Sequence, residues 1–266
     1  MRKVISQDGT PIAFDQSGKG PAIILVLGAF NDHASGAPLA ARLSEHFTVF
    51  NYDRRARGAS GDASTYAIER EIEDIAALIH EAGESASVFG YSSGALLALM
   101  AAERDLSITK LALYEPPFLV KQGLAGCARE VAGQLVDLLS RGERGAAVEL
   151  FQTEVVGIPA EIVAQLRDAP FRPALEAIAQ SLVYDATILG KMDLLAQRFA
   201  SISVSTLLIS GEASPTLLGD AAQAIADALP HAHHRRLPGQ THDINASILA
   251  PVLETFLRDK PEERTW

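Results

Sequence analysis

The segment Gly90-Tyr91-Ser92-Ser93-Gly94 matches the pattern G-x-S-x-G, whose central serine is a candidate nucleophile. The bare pattern is weakly specific, but an apolar run at 86–89 leads into it and an apolar helical run at 95–103 follows it. A serine at a sharp turn between a strand and a helix has its hydroxyl exposed for attack on a carbonyl. We therefore predict that Ser92 is a nucleophile. The alternative is an idle serine in a glycine-rich turn.

A serine hydroxyl is a poor nucleophile until a base takes its proton, and His242 is the best placed of the seven histidines. It ends the segment 238–242, a predicted loop between the last strand and the last helix. Such a loop can return over the sheet edge from which Ser92 emerges. A purely structural loop histidine is the alternative. A metal site at His231, His233 and His234 is a further hypothesis. We interpret these residues instead as the exposed start of a strand and predict no metal.

The elements that would position these residues alternate between short apolar runs and amphipathic helical patterns. This alternation indicates an α/β fold, with a mostly parallel sheet of about eight strands flanked by helices on both faces. Strands are predicted at residues 3–6, 12–15, 22–27, 47–52, 86–89, 108–114, 204–210 and 232–237. Helices are predicted at residues 65–83, 95–103, 219–229 and 246–257.

Residues 118–200 interrupt the alternation, because they contain amphipathic helical patterns and no convincing strand pattern. We expect residues 1–117 and 201–266 to form the core and residues 118–200 to form a helical cap over the Ser92 site. Apolar residues of this segment are candidates for a pocket that binds an apolar part of a substrate, although residues of this kind are more often part of the core. They are Leu124, Leu135, Phe151, Val155, Phe171 and Met192.

Composition and charge exclude several other classes of protein. Of the 266 residues, 48% are hydrophobic and 21% are charged, as in globular domains, and no apolar run approaches the roughly 18 residues of a membrane span. A net charge of −10 without a basic stripe argues against a nucleic-acid partner. The single cysteine, Cys127, excludes an intramolecular disulfide and a cysteine-rich zinc site. Together with a polar N-terminal segment, it leads us to expect a cytoplasmic location.

These features resemble the α/β-hydrolase family, and the resemblance extends over nearly the whole chain. Its landmarks here are the loop at Gly28, the segment Asp53-Arg54-Arg55-Ala56-Arg57-Gly58, the turn at 90–94 and the late Pro-Gly-Gln-Thr-His. The resemblance implies that Ser92 is the nucleophile and His242 the general base, in the family's chain order of serine, acid and histidine. It implies no cofactor and no metal.

The resemblance also implies an oxyanion hole made of two backbone amides. Ser93, which follows the nucleophile, supplies one amide. The loop after Leu27 supplies the other, from Ala29 or its neighbours Gly28 and Phe30. The chain departs from the family in this loop, because Leu27 stands where the family usually has a histidine that braces it.

The acid of the triad is the second departure from the family. Its usual aspartate lies just after the strand that precedes the last helix–strand pair, and Ser214 occupies that place here. Glu115 instead follows the predicted strand 108–114 and precedes two prolines. Because proline favours extended backbone in the residue before it, we expect Glu115 to lie extended at the tip of that strand. We therefore predict Glu115 as the acid.

Glu115 is also the acid position of one branch of the family, which includes lactone hydrolases of the zearalenone-degrading type. The chain is similar to this branch in its Ser-Ser-Gly turn and its Ala-Ser-Pro-Thr segment as well. Glu212 stays open as an alternative acid, followed by Asp220 and Asp243.

The sequence thus predicts a serine hydrolase that cleaves a small-molecule ester or lactone through Ser92, His242 and Glu115. The same constellation serves C–C bond hydrolysis, perhydrolysis and lyase chemistry, so another reaction on this triad is one alternative. A member of the fold that binds a small molecule without converting it is the other.

Overall fold

The computed structural model describes residues 1–63, 65–117, 124–192 and 198–259. Its strands are β1 (Arg2–Ile5), β2 (Pro11–Ser17), β3 (Ala22–Val26), β4 (Thr48–Tyr52), β5 (Ala86–Tyr91), β6 (Ile108–Tyr114), β7 (Thr206–Gly211) and β8 (Ala232–Leu237). Within the described ranges they form one eight-stranded sheet in the order β1-β2-β4-β3-β5-β6-β7-β8. The pairings β1–β2 and β2–β4 are antiparallel, and the other five are parallel. The predicted α/β class with a mostly parallel sheet is confirmed.

The helices are α1 (His33–Leu43), α2 (Ile68–Glu81), α3 (Ser93–Ala102), α4 (Leu124–Ser140), α5 (Arg144–Phe151), α6 (Ala160–Gln165), α7 (Arg172–Ala177), α8 (Ser181–Leu189), α9 (Thr216–Ala228) and α10 (Ala246–Arg258). A π-helical turn, Gln152–Val156, continues α5, and a 3₁₀ turn forms at Phe199–Ser201. Among the described residues, no helix is both long enough and apolar enough to cross a membrane.

Helices cover both faces of the sheet, and the central strands are accordingly apolar on both sides. On one face, α2 and α9 pack Ile75 and Ile225 against the strands, together with α3. On the other face, α1 and α10 contribute Leu39 and Leu253. All six residues of β5 are buried, as expected for a parallel strand between two helical layers. Because β5 is also the fifth of the eight strands, its carboxyl end lies near the middle of one edge of the sheet, and the candidate nucleophile follows it.

The chain between β6 and β7 is helical, and none of its described residues is in a strand. Helices α4, α5 and α8 share an apolar cluster that includes Leu135, Val148 and Leu182. Ala29 and Phe30, in the loop after β3, pack against the same cluster. The helical segment therefore lies directly against the loop expected to supply an oxyanion donor. That residues 118–200 form a separate cap stays a prediction.

Candidate active site

Ser92 occupies the one-residue turn between β5 and α3, with φ 54° and ψ −126°. A positive φ is unfavourable for a residue with a side chain, so the surrounding packing must maintain this turn. The flanking glycines show why it forms. A Cβ on Gly90 would lie 2.5 Å from the Cα of Ala95, and a Cβ on Gly94 would lie 2.6 Å from the carbonyl oxygen of Leu27. Only glycine fits on either side, and the tight turn leaves the Ser92 hydroxyl at the surface of a cavity.

His242 lies in the loop between β8 and α10, and the structure places it beside Ser92. Its Nε2 atom is 3.3 Å from the Oγ of Ser92, within hydrogen-bond reach. A hydrogen bond ties this loop to the sheet: the Tyr114 hydroxyl at the end of β6 donates to the carbonyl oxygen of Thr241 at 2.6 Å. The ring of Tyr91, whose centroid is 5.1 Å from that of the imidazole, supports one face of His242.

Glu115 is fully buried and accepts hydrogen bonds from two distant segments of the chain. Its Oε2 atom is 2.6 Å from Nδ1 of His242, and its Oε1 atom accepts a 2.7 Å hydrogen bond from the Gly211 amide at the end of β7. Burial by itself raises the pKa of the Glu115 carboxyl, but hydrogen bonding to the carboxylate, with the His242 contact as the largest contribution, more than offsets it. The pKa therefore lies below its usual value, and the group is a carboxylate that holds the proton of His242 on Nδ1.

The backbone of Glu115 differs from the extended conformation expected before a proline. Its φ is +46°, in the left-handed region, so that expectation is wrong. The physical reason is hydrogen bonding: the Glu115 amide donates to the carbonyl oxygen of Ile209 at 2.9 Å, while the carboxylate accepts from Gly211 two residues later on the same strand. Both contacts together require the chain to bend sharply after β6, and they outweigh the preference imposed by Pro116.

None of the three alternative acids is the partner of His242 Nδ1. Glu212, Asp220 and Asp243 are all exposed. Among the described residues, Glu115 is the acid whose carboxylate contacts Nδ1 of His242. Asp243 does line the same cavity as Ser92, but the adjacent His242 points its ring to Glu115 instead.

The loop after β3 runs against the nucleophile. A Cβ on Gly28 would lie 2.8 Å from the Cβ of Ser92 and 2.9 Å from the carbonyl oxygen of Tyr91, so glycine is required there for close approach. Ala29 and Ser93 line the same cavity as Ser92. The structure thus brings the expected oxyanion residues to the nucleophile.

A cavity of about 520 Å³ opens above Ser92, with Phe30, Leu218 and the helical segment among its walls. Three of the predicted pocket residues line it: Phe151, Val155 and Met192. Two other candidates do not line the cavity. Leu135 is fully buried in the core of the helical segment, and Phe171 is 49% exposed. The side chain of Leu124 lies outside the described residues.

Sequence reasoning missed a buried ionic cluster beneath the site, formed by Arg54, Arg57, Glu71 and Asp185. Asp185 lies on α8 and accepts a 2.7 Å hydrogen bond from the hydroxyl of Ser93. The closely spaced arginines of 54–57 were visible as a family landmark. Their partner Asp185 was not, because a lone aspartate in a helical pattern resembles an ordinary exposed residue.

Side chains that could hold a metal are engaged in hydrogen bonds. Within the described ranges, the one group with suitable spacing is Asp32, His33 and Asp53. Asp53 accepts from the amides of His33 and Ala59, each at 2.8 Å, and lies 2.9 Å from Nδ1 of His33. In the histidine cluster considered above, both ring nitrogens of His234 contact other side chains.

Known proteins share both the sequence pattern and the fold. A family model described as the alpha/beta hydrolase family matches residues 23–254. A pimeloyl-[acyl-carrier protein] methyl ester esterase from Xanthomonas axonopodis pv. citri (strain 306) is 29% identical over 260 residues, covering 93% of this chain and 99% of that protein. None of these matches tests the expected relation to zearalenone-type enzymes.

Solved structures extend the likeness to three dimensions. An alpha/beta hydrolase from Sphaerobacter thermophilus DSM 20745 has a TM-score of 0.88 and 48% identity, covering 96% of this chain and 100% of that one. The enol-lactonase from Burkholderia xenovorans LB400 has a TM-score of 0.73 at 22% identity, covering 97% and 100% of the two chains, which is a likeness of fold alone. Since the family model spans most of the sheet together with the turn at Ser92, this chain belongs to the alpha/beta hydrolase family.

Proposed function

We propose that this protein hydrolyses a small-molecule ester or lactone with an apolar moiety, using Ser92, His242 and Glu115 as its triad. The observation that carries the proposal is the continuous contact from Ser92 Oγ through both nitrogens of His242 to a buried carboxylate, at the floor of an apolar cavity. The name of the Xanthomonas relative, a methyl ester esterase, supports an ester as substrate.

In this mechanism the Ser92 oxygen attacks the carbonyl carbon while Nε2 of His242 takes the serine proton. The carbonyl π electrons move to oxygen, and the amides of Ser93 and Ala29 donate hydrogen bonds to the resulting oxyanion, worth about 3 kcal/mol for each donor. Collapse of the tetrahedral intermediate breaks the bond to the leaving alkoxide, which receives the proton from His242. Water then attacks the acyl carbon while Nε2 of His242 takes one of its protons. The bond between that carbon and Ser92 Oγ breaks, the acid leaves, and His242 returns the proton to Ser92.

Glu115 supports both steps through its contact with Nδ1 of His242. It keeps the neutral imidazole in the tautomer whose Nε2 accepts a proton, and it stabilises the imidazolium that forms. The 3.3 Å separation between Nε2 and Ser92 Oγ is typical of a free enzyme, in which such contacts are longer than in the substrate complex.

We further propose that the helical segment acts as a cap on this site, with the core formed by residues 1–117 and 201–266. Phe151 and Val155, from α5 and the turn that follows it, support this role because they line the same cavity as Ser92. An apolar wall at this place favours an apolar acyl or ring moiety and excludes water from the acyl-enzyme.

A panel of p-nitrophenyl esters and aliphatic lactones of graded size tests the proposal, with labelling by a fluorophosphonate probe as a second readout. The expected result is turnover of apolar esters or lactones and labelling of the wild type, with neither in the Ser92→Ala variant. Labelling without turnover of the panel would point to another reaction on the same triad. Absence of both labelling and turnover in the folded wild type would identify a protein that binds without catalysis.

A further inference from the structure

Asp185 joins the helical segment to both sides of the expected oxyanion hole. It lies on α8, is fully buried, and accepts three hydrogen bonds. Its Oδ1 atom accepts from Ser93 Oγ at 2.7 Å and from Arg54 Nη1 at 2.8 Å, and its Oδ2 atom accepts from Arg57 Nη2 at 2.6 Å. Ser93 is the first residue of α3 and carries one of the two expected oxyanion amides.

The two arginines held by Asp185 donate to the loop that carries the other amide. Arg57 Nη1 donates to the carbonyl oxygens of Gly28 and, at 3.0 Å, of Asn31. Arg54 Nη1 donates to the carbonyl oxygen of Leu27 at 3.1 Å. Charged donors form the stronger class of hydrogen bond, so these contacts fix the loop on both sides of Ala29.

The contact at Gly28 sets the direction of the Ala29 amide. In a trans peptide the carbonyl oxygen of one residue and the N–H of the next point in opposite directions, and none of the described peptide bonds is cis. Turning the Gly28 carbonyl toward Arg57 therefore turns the Ala29 N–H away from Arg57. Ala29 lines the same cavity as Ser92, and Arg57 does not.

The charges of the ionic cluster are balanced, but not every buried hydrogen-bond donor in it has an acceptor among the described residues. Arg54 also forms two hydrogen bonds with Glu71, at 2.7 and 2.8 Å, so two cations face two carboxylates. The Nε atom of Arg57, however, is buried and has no partner among the described residues. A buried donor left unsatisfied is unfavourable, which indicates that the guanidinium is oriented by its Nη contacts to the loop and to Asp185.

We propose that Arg57, held by Asp185, is a positioning residue that aims the Ala29 amide at the oxyanion. This inference rests on the hydrolase function proposed above. Arg57 itself contacts no reacting atom and acts through the Gly28–Ala29 peptide. Because Asp185 also holds Ser93, one side chain of the helical segment sets the relative position of both oxyanion donors.

A neighbouring arginine provides a matched control. Arg55 is also fully buried and forms a two-point salt bridge to Asp74, at 2.6 and 2.8 Å, with a further contact to Asp8 at 3.0 Å. It differs from Arg57 in that its hydrogen-bond partners lie on α2 and in the first turn of the chain, away from the oxyanion loop. The variants Arg57→Lys and Arg55→Lys therefore remove the same planar guanidinium from buried pairs, but only the first changes a contact to that loop.

The test measures kcat and KM for an apolar p-nitrophenyl ester, affinity for a trifluoromethyl ketone that forms an oxyanion on Ser92, and Tm. We expect Arg57→Lys to lower kcat about 10²-fold or more with KM changed less than about threefold, as for loss of one oxyanion donor. Affinity for the ketone should fall in parallel. Arg55→Lys should lower Tm comparably and leave kcat within about threefold. Equal effects of the two variants on kcat would overturn the proposal, as would an unchanged ketone affinity in Arg57→Lys.

Two further measurements keep the test decisive. If Arg57→Lys does not fold, Asp185→Asn, which keeps the shape of the partner and removes its charge, is measured in the same way and should also lower kcat and ketone affinity. If the folded wild type neither labels with fluorophosphonate nor turns over esters, the proposed function fails. Positioning by Arg57 is then decided by hydrogen exchange: amides 29–31 should exchange faster in Arg57→Lys than in Arg55→Lys, and equal rates would refute it.

Discussion

Glu115 is a buried carboxylate whose hydrogen-bond partners are distant in sequence, 96 residues away at Gly211 and 127 residues away at His242. Its contact with His242 could be predicted because Glu115 follows a strand that ends at the same edge of the sheet as Ser92, and because an uncharged residue, Ser214, occupies the family's usual acid position. Its left-handed backbone could not be predicted, since that conformation depends on pairing with β7 rather than on the adjacent prolines.

Replacing Glu115 by glutamine should reduce turnover by about 10³- to 10⁴-fold, because the amide does not fix the productive tautomer of His242 or stabilise its imidazolium. The measurement is kcat for an apolar ester, with circular dichroism to establish that the variant is folded. Glu212→Gln serves as control, since Glu212 is exposed, and should change kcat less than about twofold. A larger loss in the control than in Glu115→Gln would exclude Glu115 as the acid.

The positive φ of Ser92 leads to a prediction about stability rather than rate. Alanine retains a Cβ and therefore the strain of the turn, whereas glycine adopts φ 54° readily. Both Ser92→Ala and Ser92→Gly should lose turnover, but Ser92→Gly should have the higher free energy of unfolding, by about 1 kcal/mol. Urea denaturation of the two variants measures this difference. If the glycine variant is less stable, the turn is not strained.

At the scale of elements, sequence periodicity identified the strands and the long helices but missed α1. That helix contains Gly36 and Pro38, which are poor helix formers, and it is weakly amphipathic. The signal that could have revealed it is Asp32, whose carboxylate accepts hydrogen bonds from the amides of Ala34 and Ser35 at the helix start. Helical patterns also did not determine which residues of the helical segment line the cavity, because that depends on how each helix is rotated against its neighbours.

Two phenylalanines of the helical segment provide a test of the substrate cavity. Phe151 lines the cavity and packs edge-on against Phe30, with ring centroids 5.4 Å apart, whereas Phe171 is exposed. Phe151→Ala should enlarge the cavity and shift the kcat/KM preference toward longer acyl chains, with a loss of about 3–5 kcal/mol of stability. Phe171→Ala should change neither chain-length preference nor, beyond about 0.5 kcal/mol, stability. Unchanged chain-length preference in Phe151→Ala would mean that acyl chains bind elsewhere.

At the scale of the whole molecule, the apolar core strands were predicted from the sequence, but the buried ion pairs were not. The core strands could be predicted because burial on both faces requires continuous apolar runs. The cluster of Arg54, Arg57 and Asp185 could not, because its members become neighbours only when α8 packs against α2 and α3. Asp185 follows Arg57 by 128 residues in the chain. Such pairing is a tertiary property, without local periodicity.

Asp185 should make stability depend on pH in the acid range. Burial raises the pKa of its carboxyl, but the positive charges of Arg57 and Arg54 outweigh burial and hold the pKa below its ordinary value of 3.8. The stabilisation is therefore complete above the ordinary pKa and is lost as pH falls toward the lower value in the folded protein. Free energies of unfolding in urea, measured from about pH 5 to pH 2.5, should fall more steeply for the wild type than for Asp185→Asn. Parallel curves for the two proteins would contradict this prediction.

The attachment of α8 to the arginines also bears on how this family can be recombined. Helical insertions are attractive units for exchange between relatives, because the strands on either side need not change. Here a donor segment without an acidic side chain at position 185 would leave Arg54 with Glu71 alone and Arg57 without a counterion, in a site that excludes water. A functional chimera must therefore inherit the helical segment and the arginines at 54 and 57 together, as a single unit drawn from two separate parts of the sequence.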